Sequence, residues 1–253
     1  MFSALILAAG RGKRLAEGGE APPKCLLEFG GRTLLARHFD CLYAVGVRKV
    51  TIVLGYQRQL IEERIAKFDL PEDLEIVCVD NPDYELGSIL SLWRGRGVIN
   101  TGGDLLVMDA DVLYDVRMLR LLTESSEGNT LLIDRGFEEG DEPVKVGIID
   151  GRIVEFRKRA SGLYDMIGES VGFFRFCPEG AHALFDKCEE YVKAGRLDEP
   201  HEEAIRDLIL TGQRSFGYVD ATGLPWIEID FPEDIERAQR FIFRKLSDND
   251  VIE

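Results

Sequence analysis

The sequence predicts an α/β fold, a mostly parallel sheet with helices on both faces. Two observations carry this. Apolar runs alternate with amphipathic stretches through the first half of the 253 residues, and such alternation implies right-handed crossovers between parallel strands. The first apolar run also ends in two glycines crowded with positive charge, and a later one ends in paired aspartates. Ligands on open α/β sheets sit beyond the carboxyl ends of the strands. Both features fall at such ends.

Ala4–Ala9 reads as a buried strand. Thr33–Val45 reads as a helix, because Leu34, Leu35, His38, Leu42 and Val45 fall on one face at helical spacing. Lys49–Tyr56 is the next strand and Gln59–Phe68 a charged helix. Leu74–Val79 is a third strand, followed by a helix around Ser88–Arg96. Leu105–Met108 is a fourth, running into Asp109-Ala110-Asp111, and a helix over Val116–Thr123 follows. After residue 128 the rhythm changes. Asn129–Ile133 is strand-like, and Val144–Ile149 with Arg152–Phe156 forms a hairpin turning at Asp150-Gly151. Ser170–Phe176 is a strand, Pro178 opens a helix reaching Ala194, and Glu202–Leu210 is a shorter helix. Ser215–Val219 and Trp226–Ile229 are strands, and Pro232 fits the first position of a closing helix, Pro232–Leu246. The expectation is one domain over residues 1–246, with a nucleotide-binding half (1–128) and an acceptor-binding half (129–246). An acidic tail, Ser247–Glu253, follows it.

The chain is acidic, with 46 Asp+Glu against 31 Lys+Arg and a net charge of −15. That balance argues against a broad nucleic-acid surface, since such affinity comes from neutralising phosphates. Residues 1–24 depart from it: Arg11, Lys13, Arg14 and Lys24 outnumber Glu17 and Glu20. Positive charge is thus placed locally, as a small anionic ligand needs. Five scattered cysteines without a C-x-x-C spacing read as reduced, and the three histidines lie too far apart for a zinc site. No apolar run approaches the roughly 20 residues of a membrane helix, and no signal peptide is evident. The expected setting is the cytoplasm.

The glycine loop runs Leu7-Ala8-Ala9-Gly10-Arg11-Gly12-Lys13-Arg14-Leu15 and is followed by Pro23-Lys24. Without Cβ atoms at Gly10 and Gly12, backbone N–H groups can approach an anion. The segment is neither a Walker loop nor a dinucleotide fingerprint, because Leu15 stands where the latter has its third glycine. It resembles the L-A-A-G-x-G-x-R-L…P-K signature of nucleotidyltransferases. Further segments resemble the phosphocholine and 2-aminoethylphosphonate cytidylyltransferase branch. These are Asn81-Pro82-Asp83-Tyr84 with Ser91-Leu92-Trp93, Gly168-Glu169-Ser170-Val171-Gly172, Pro200-His201-Glu202-Glu203-Ala204, and Trp226-Ile227-Glu228-Ile229-Asp230-Phe231-Pro232-Glu233-Asp234. Gly87-Ser88 departs from that branch, which carries Asn-Asn there.

The resemblance implies a Rossmann-like, three-layer α/β/α fold with a mixed, mostly parallel sheet. It implies a Mg2+-dependent transfer of CMP from CTP to a small phosphorylated alcohol or phosphonate, with release of pyrophosphate. Arg11, Lys24 and Lys158 are then the expected catalytic groups. The nucleotide is expected at Leu7, Ala8, Ala9, Gly10, Arg11, Gly12, Lys24, Asn81, Gly87, Ser88 and Asp109. Asp111 and Asp230 are the preferred metal ligands over Asp109 and Glu228, since Mg2+ binds through a few carboxylates plus substrate phosphates. Lys145, Tyr164, Glu169, Glu202, Glu203, Trp226 and Glu228 are expected around the acceptor, the acids and aromatics suiting a cationic head group. Read alone, the Asp-Ala-Asp is explained as well by a solvated strand end beside a helix cap at Asp115. Glu202 and Glu203 are explained as well by solvated helix charge. A sugar-1-phosphate nucleotidyltransferase and a non-catalytic nucleotide-sensing subunit stay open as alternatives, as does a homodimer.

Overall fold

The computed structural model describes residues 2–15, 21–138, 140, 143–212 and 215–246. The expected acidic tail, Ser247–Glu253, lies outside them. Four strands make a parallel nucleus in the order β6–β1–β4–β5: β1 (Phe2–Ala8), β4 (Lys49–Leu54), β5 (Glu75–Asp80) and β6 (Asp104–Asp109). Strands β8 (Thr130–Asp134), β9 (Lys145–Ile149), β10 (Arg152–Arg157), β11 (Met166–Phe176) and β12 (Gly217–Asp220) extend this sheet. The long β11 runs antiparallel to β6, β8 and β9, and β12 runs parallel to β8. The sheet is therefore mixed, with its four-stranded parallel part in the first half of the chain.

Side-chain alternation along β1 explains the layering. Ala4 and Ile6 point into one core beneath α1 (Leu34–Ala44) and α4 (Val116–Glu124), with Leu35, Phe39, Met118 and Leu122. Leu5 and Leu7 point into the other beneath α3 (Ser88–Arg94), α5 (Pro178–Lys193) and α6 (His201–Thr211), with Leu90, Leu184 and Ile205. Strands buried on both faces read as continuous apolar runs, and β1 does. The helix α2 (Arg58–Ile65) joins β4 to β5. Among the described residues no helix is long and apolar enough to cross a membrane.

Local signals placed most elements to within a few residues. Thr33 caps α1 by accepting from Ala36 N (3.1 Å), and Asp115 caps α4 by accepting from Arg117 N (2.9 Å). Asp150 (φ 50) and Gly151 (φ 70) take the two positive φ angles that a two-residue hairpin turn requires. Three differences stand out. β11 begins four residues before the expected Ser170 and carries an irregularity between Ser170 and Phe174, where Gly172 takes φ +78. The periodicity missed β2 (Glu28–Phe29) with its partner β3 (Arg32–Thr33), and β7 (Val112–Tyr114), which pairs with β13 (Trp226–Glu228), the strand expected over Trp226–Ile229. The closing helix is α-helical only as α7 (Pro232–Arg237) before a wide turn over Ala238–Ile242 and a tight one over Phe243–Lys245. Phe243 seats against Gly30, where a Cβ would lie 2.2 Å from its ring, and stacks under the Arg37 guanidinium. That tertiary contact overrides a uniform helical pitch.

A third, smaller core of Phe29, Leu34, Leu113, Ile229, Ala238 and Leu246 ties the closing segment to the β7–β13 pair. This pair sets the site.

Candidate functional site

Beyond β1 the chain turns through Gly10, Arg11 and Gly12. Gly12 takes φ +59, and a Cβ there would lie 3.1 Å from Lys24 Cγ, so the lysine stem runs along the loop backbone. Pro23 opens the short turn Lys24–Leu26 that presents this lysine. Its ammonium donates to Asp111 Oδ2 (2.8 Å) and to Asp230 Oδ1 (2.6 Å). Burial alone would lower the Lys24 pKa, but the charges of Asp111 and Asp230 reverse this and lift it well above the ordinary lysine value. The ammonium stays charged across the neutral range. Arg14 Nη1 donates to the other oxygen of Asp230 (3.1 Å), and Arg11 Nη1 donates to Glu85 Oε1 (2.7 Å) at the cleft mouth.

The acids meet through the small antiparallel pair. Val112 lies opposite Glu228, and Ile229 N donates to Asp111 O (3.0 Å). Ile229 faces the third core, fully buried, so alternation turns Glu228 and Asp230 to the opposite side. Asp111, Glu228 and Asp230 consequently present carboxylate oxygens within 4.8 Å of one another. Glu228 is exposed as a residue, yet its carboxyl sits in the crowded part of the cleft. Desolvation, and then the charges of Asp111, Asp230 and Asp109, push it well above the usual range. The like charges alone give that direction. Asp109 is raised in the same way, first by burial and then by Asp111 and Glu202. Its carboxylate is crowded by the backbone of β11, where a Cβ at Gly172 would lie 2.5 Å from Oδ2.

Cavities that share lining residues radiate from these acids. One of about 280 Å3 is lined by Arg11, Gly12, Lys13, Arg14, Lys24, Tyr84, Glu85 and Asp230. One of about 90 Å3 lies between Leu7, Ala8, Gly10, Lys24 and Asp111. On the other side of Asp230, a cavity of about 400 Å3 is walled by Trp226, Phe137 and Phe231 and by Asp134, Glu138, Glu169, Glu228 and Asp234. A constriction of about 50 Å3 joins Asp109, Lys158, Glu169, Glu202, Glu228 and Asp230. A basic anion cradle thus faces an acidic, aromatic chamber across three carboxylates and one lysine.

Residues 4–165 match the family model described as a MobA-like NTP transferase domain. The chain belongs to that family. Over 247 residues, 96% of this chain, it is 30% identical to a bifunctional IPC transferase and DIPP synthase of Aquifex aeolicus. It is 26% identical, over 93% of its length, to a CMP-5'-(3-aminopropyl)phosphonate synthase of Streptomyces rubellomurinus. It spans 52% and 38% of those relatives, about half their length or less. The solved inositol-1-phosphate CTP transferase of T. maritima shares the fold with a TM-score of 0.75 at 22% identity, over 95% of this chain and 97% of that one.

Within this NTP transferase domain, Leu7, Ala8, Gly10, Arg11, Gly12 and Lys24 line the basic cavities, with Ala9 buried behind them. Lys158, Glu169, Glu202, Glu228 and Trp226 line the acidic side. Other expected site residues are engaged within the fold. Asn81 is fully buried; its amide donates to Ser91 Oγ (3.0 Å) and its carbonyl accepts from Asp83 N (3.1 Å). Gly87 packs against the loop before α6, where a Cβ would lie 2.1 Å from Glu199 O, and Ser88 Oγ accepts from His201 N (2.8 Å). Tyr164 lies on Gly147 and donates its hydroxyl to Ser161 O (3.1 Å). Lys145 donates to Gly140 O (2.7 Å) and Lys158 O (3.2 Å), tying the hairpin ends together. Glu203 lies one residue round α6 from Glu202 and does not line these cavities. It is felt instead by Tyr191.

Glu228, expected at the acceptor and as the alternative to Asp230 for the metal, both lines the acidic chamber and completes the carboxylate trio. Sequence reasoning missed Glu85, Asp134 and Glu138, single acids in a turn before α3, at the end of β8 and in the loop after it. It also missed His38, a polar residue on an otherwise apolar helix face, which is the one signal that could have marked it.

Proposed function

We propose that this domain transfers CMP from CTP to a small phosphate or phosphonate acceptor with a cationic head group, releasing pyrophosphate. The observation that carries the reading is Lys24, clamped between Asp111 and Asp230 where the basic cradle meets the acidic chamber. The Streptomyces relative, named for a CMP-phosphonate product bearing an amine, supports both the nucleotide and the acceptor class.

The trio Asp111, Glu228 and Asp230 offers hard oxygen donors only, which fits Mg2+. Bound there, Mg2+ would supply charge neutralisation at the nucleotide phosphates. The loop N–H groups with Arg11 and Arg14 hold the β- and γ-phosphates, and Arg11 exchanges Glu85 for phosphate oxygens as the nucleotide enters. Lys24 turns from its carboxylates to the α-phosphate and stabilises the charge that grows there as the acceptor oxygen attacks. That oxygen is already anionic at neutral pH, so no general base is needed. Lys158 orients the acceptor's phosphate. Glu169, Asp134 and Trp226 hold its ammonium, the aromatic face adding cation–π attraction. Positioning anions against fixed positive charge supplies most of the acceleration. The free thiols of Cys25, Cys78, Cys177 and Cys188 support a reducing, cytoplasmic setting.

Pyrophosphate release by the purified protein tests this, with CTP, UTP, GTP and dTTP crossed against phosphocholine, 2-aminoethylphosphonate, inositol-1-phosphate and glucose-1-phosphate. CTP with an ammonium-bearing acceptor is expected to turn over fastest. Lys24→Ala and Asp111→Asn are expected to lose about 3–4 kcal/mol of transition-state stabilisation, hundreds-fold in kcat/KM, while retaining the native circular dichroism. Turnover with UTP and glucose-1-phosphate alone, or near-normal rates in both variants, would overturn the proposal.

A further inference from the structure

His38 sits inside the first core, fully buried, on the face of α1 turned toward the sheet. Its ring packs at 5.2 Å from Tyr114 of β7 and edge-on at 6.3 Å from Phe173 of β11. Nε2 lies 3.2 Å from Ala110 O. A carbonyl can only accept, so Nε2 carries the proton and Nδ1 is left with a bare lone pair. Nδ1 has no hydrogen-bond partner. Burying that lone pair is unfavourable, and one neutral hydrogen bond offsets it only in part. An apolar side chain of the same size would fill the space without that penalty.

What the bond holds is the residue between Asp109 and Asp111. Ala110 N donates to Leu7 O (3.2 Å), so His38 closes the second end of the same peptide segment. The next carbonyl, that of Asp111, accepts from Ile229 N (3.0 Å), between Glu228 and Asp230. Three hydrogen bonds in a row, from Ala110 to the β1 end, from His38 to Ala110 and from Ile229 to Asp111, therefore fix the backbone that aims Asp111 at Glu228 and Asp230. Two belong to the sheets. The third comes from a single side chain on a helix beneath.

We infer that His38 is a positioning residue for the carboxylate trio. Through Nε2–H to Ala110 O it sets the spacing of Asp111 from Glu228 and Asp230, and so the affinity of that trio for a divalent cation, without touching the cation or the nucleotide. This rests on the reading of the trio as cation ligands. Residues that orient metal ligands from behind typically change metal affinity by about 10- to 100-fold when replaced.

The test is Mn2+ binding, followed by electron paramagnetic resonance on the nucleotide-free protein, in wild type and in His38→Gln, His38→Asn and His38→Met. The Gln amide nitrogen reaches the Nε2 position, and the Asn amide does not. The expected result is a Mn2+ dissociation constant raised about tenfold or more in the Asn and Met variants and brought back to within about threefold of wild type by Gln. Thermal melting decides that all are folded; should Met fail to fold, the Gln–Asn pair carries the comparison. In turnover, the Asn variant should lower kcat while leaving the KM for CTP nearly unchanged at saturating metal. Equal Mn2+ affinity in all variants, or Gln weakened as much as Asn, overturns the positioning role alone. A wild-type protein that binds no Mn2+ overturns the trio as ligands, and this inference with it.

Discussion

His38 also carries a titration of its own. Burial pushes its pKa down to about 4, against smaller upward pushes from the Ala110 carbonyl and the Asp111 charge, while the unfolded chain titrates near 6.5. Between those values the unfolded state takes a proton that the folded state refuses, so this contribution is whole above pH 6.5 and is lost as pH falls toward 4. At pH 5 the loss amounts to about 2 kcal/mol for a fully buried group. Glu169 acts oppositely: burial, then Asp134 and Glu138, raise it to about 7, so its penalty is full above pH 7 and is relieved as pH falls toward 4.5. Urea unfolding of wild type and His38→Met at pH 7.5 and pH 5 separates them, because the acids cancel in the comparison. Wild type is expected to lose about 2 kcal/mol more than the variant on acidification; equal losses would contradict the buried, neutral imidazole. At this scale the sequence was partly legible. Lys24, Asp111 and Asp230 stood out because a lysine after proline and acids at strand exits have few other uses. Asn81, Gly87 and Ser88 stood out equally, and in the fold their polar groups and missing Cβ are engaged around the start of α3. A motif shows which atoms are present, and only the fold shows which of them are already engaged.

The joint between α3 and α6, two helices the sequence predicts, is where packing at the element scale can be tested. Gly87 N donates to Leu197 O (2.9 Å), Ile89 N to Glu199 O (3.1 Å), and Ser88 Oγ accepts from His201 N. The start of one helix thereby caps the approach to the other, placing Glu202 against the constriction beside Asp109 and Lys158. Gly87→Ala puts a methyl 2.1 Å from Glu199 O, backbone against which nothing flexible can give. Overpacking of this kind typically destabilises by about 1–3 kcal/mol. The variant is expected to melt several degrees lower and to raise the KM for the acceptor through Glu202. An unchanged melting temperature would show that the loop moves aside freely. The long strands and helices were legible because their burial is periodic. The three-residue β7, which with the expected strand β13 assembles the acids, was not, since a strand so short carries no period and exists through its partner and the third core.

At the scale of the whole molecule, the charge is divided. An acidic chain of net −15 keeps its basic residues Arg11, Lys13, Arg14 and Lys24 at one cavity and its acids at the next, with Asp230 touching both. Three cations of the cradle are held by acids, Arg11 by Glu85, and Lys24 and Arg14 by Asp230. The folded protein thus holds these cationic groups in place, and a bound nucleotide is expected to replace the acids as their partner. The parallel half of the sheet delivers the glycine loop and Asp111, and the closing segment delivers Glu228 and Asp230. Neither stretch of sequence contains the site alone. A crystal of the protein grown with CTP and Mn2+ tests this most directly. The account predicts the triphosphate along Gly10–Gly12, Lys24 moved from its carboxylates to phosphate, and an anomalous manganese peak among Asp111, Glu228 and Asp230. A nucleotide bound elsewhere, or manganese held away from those three acids while Lys24 keeps its ion pairs, would contradict it.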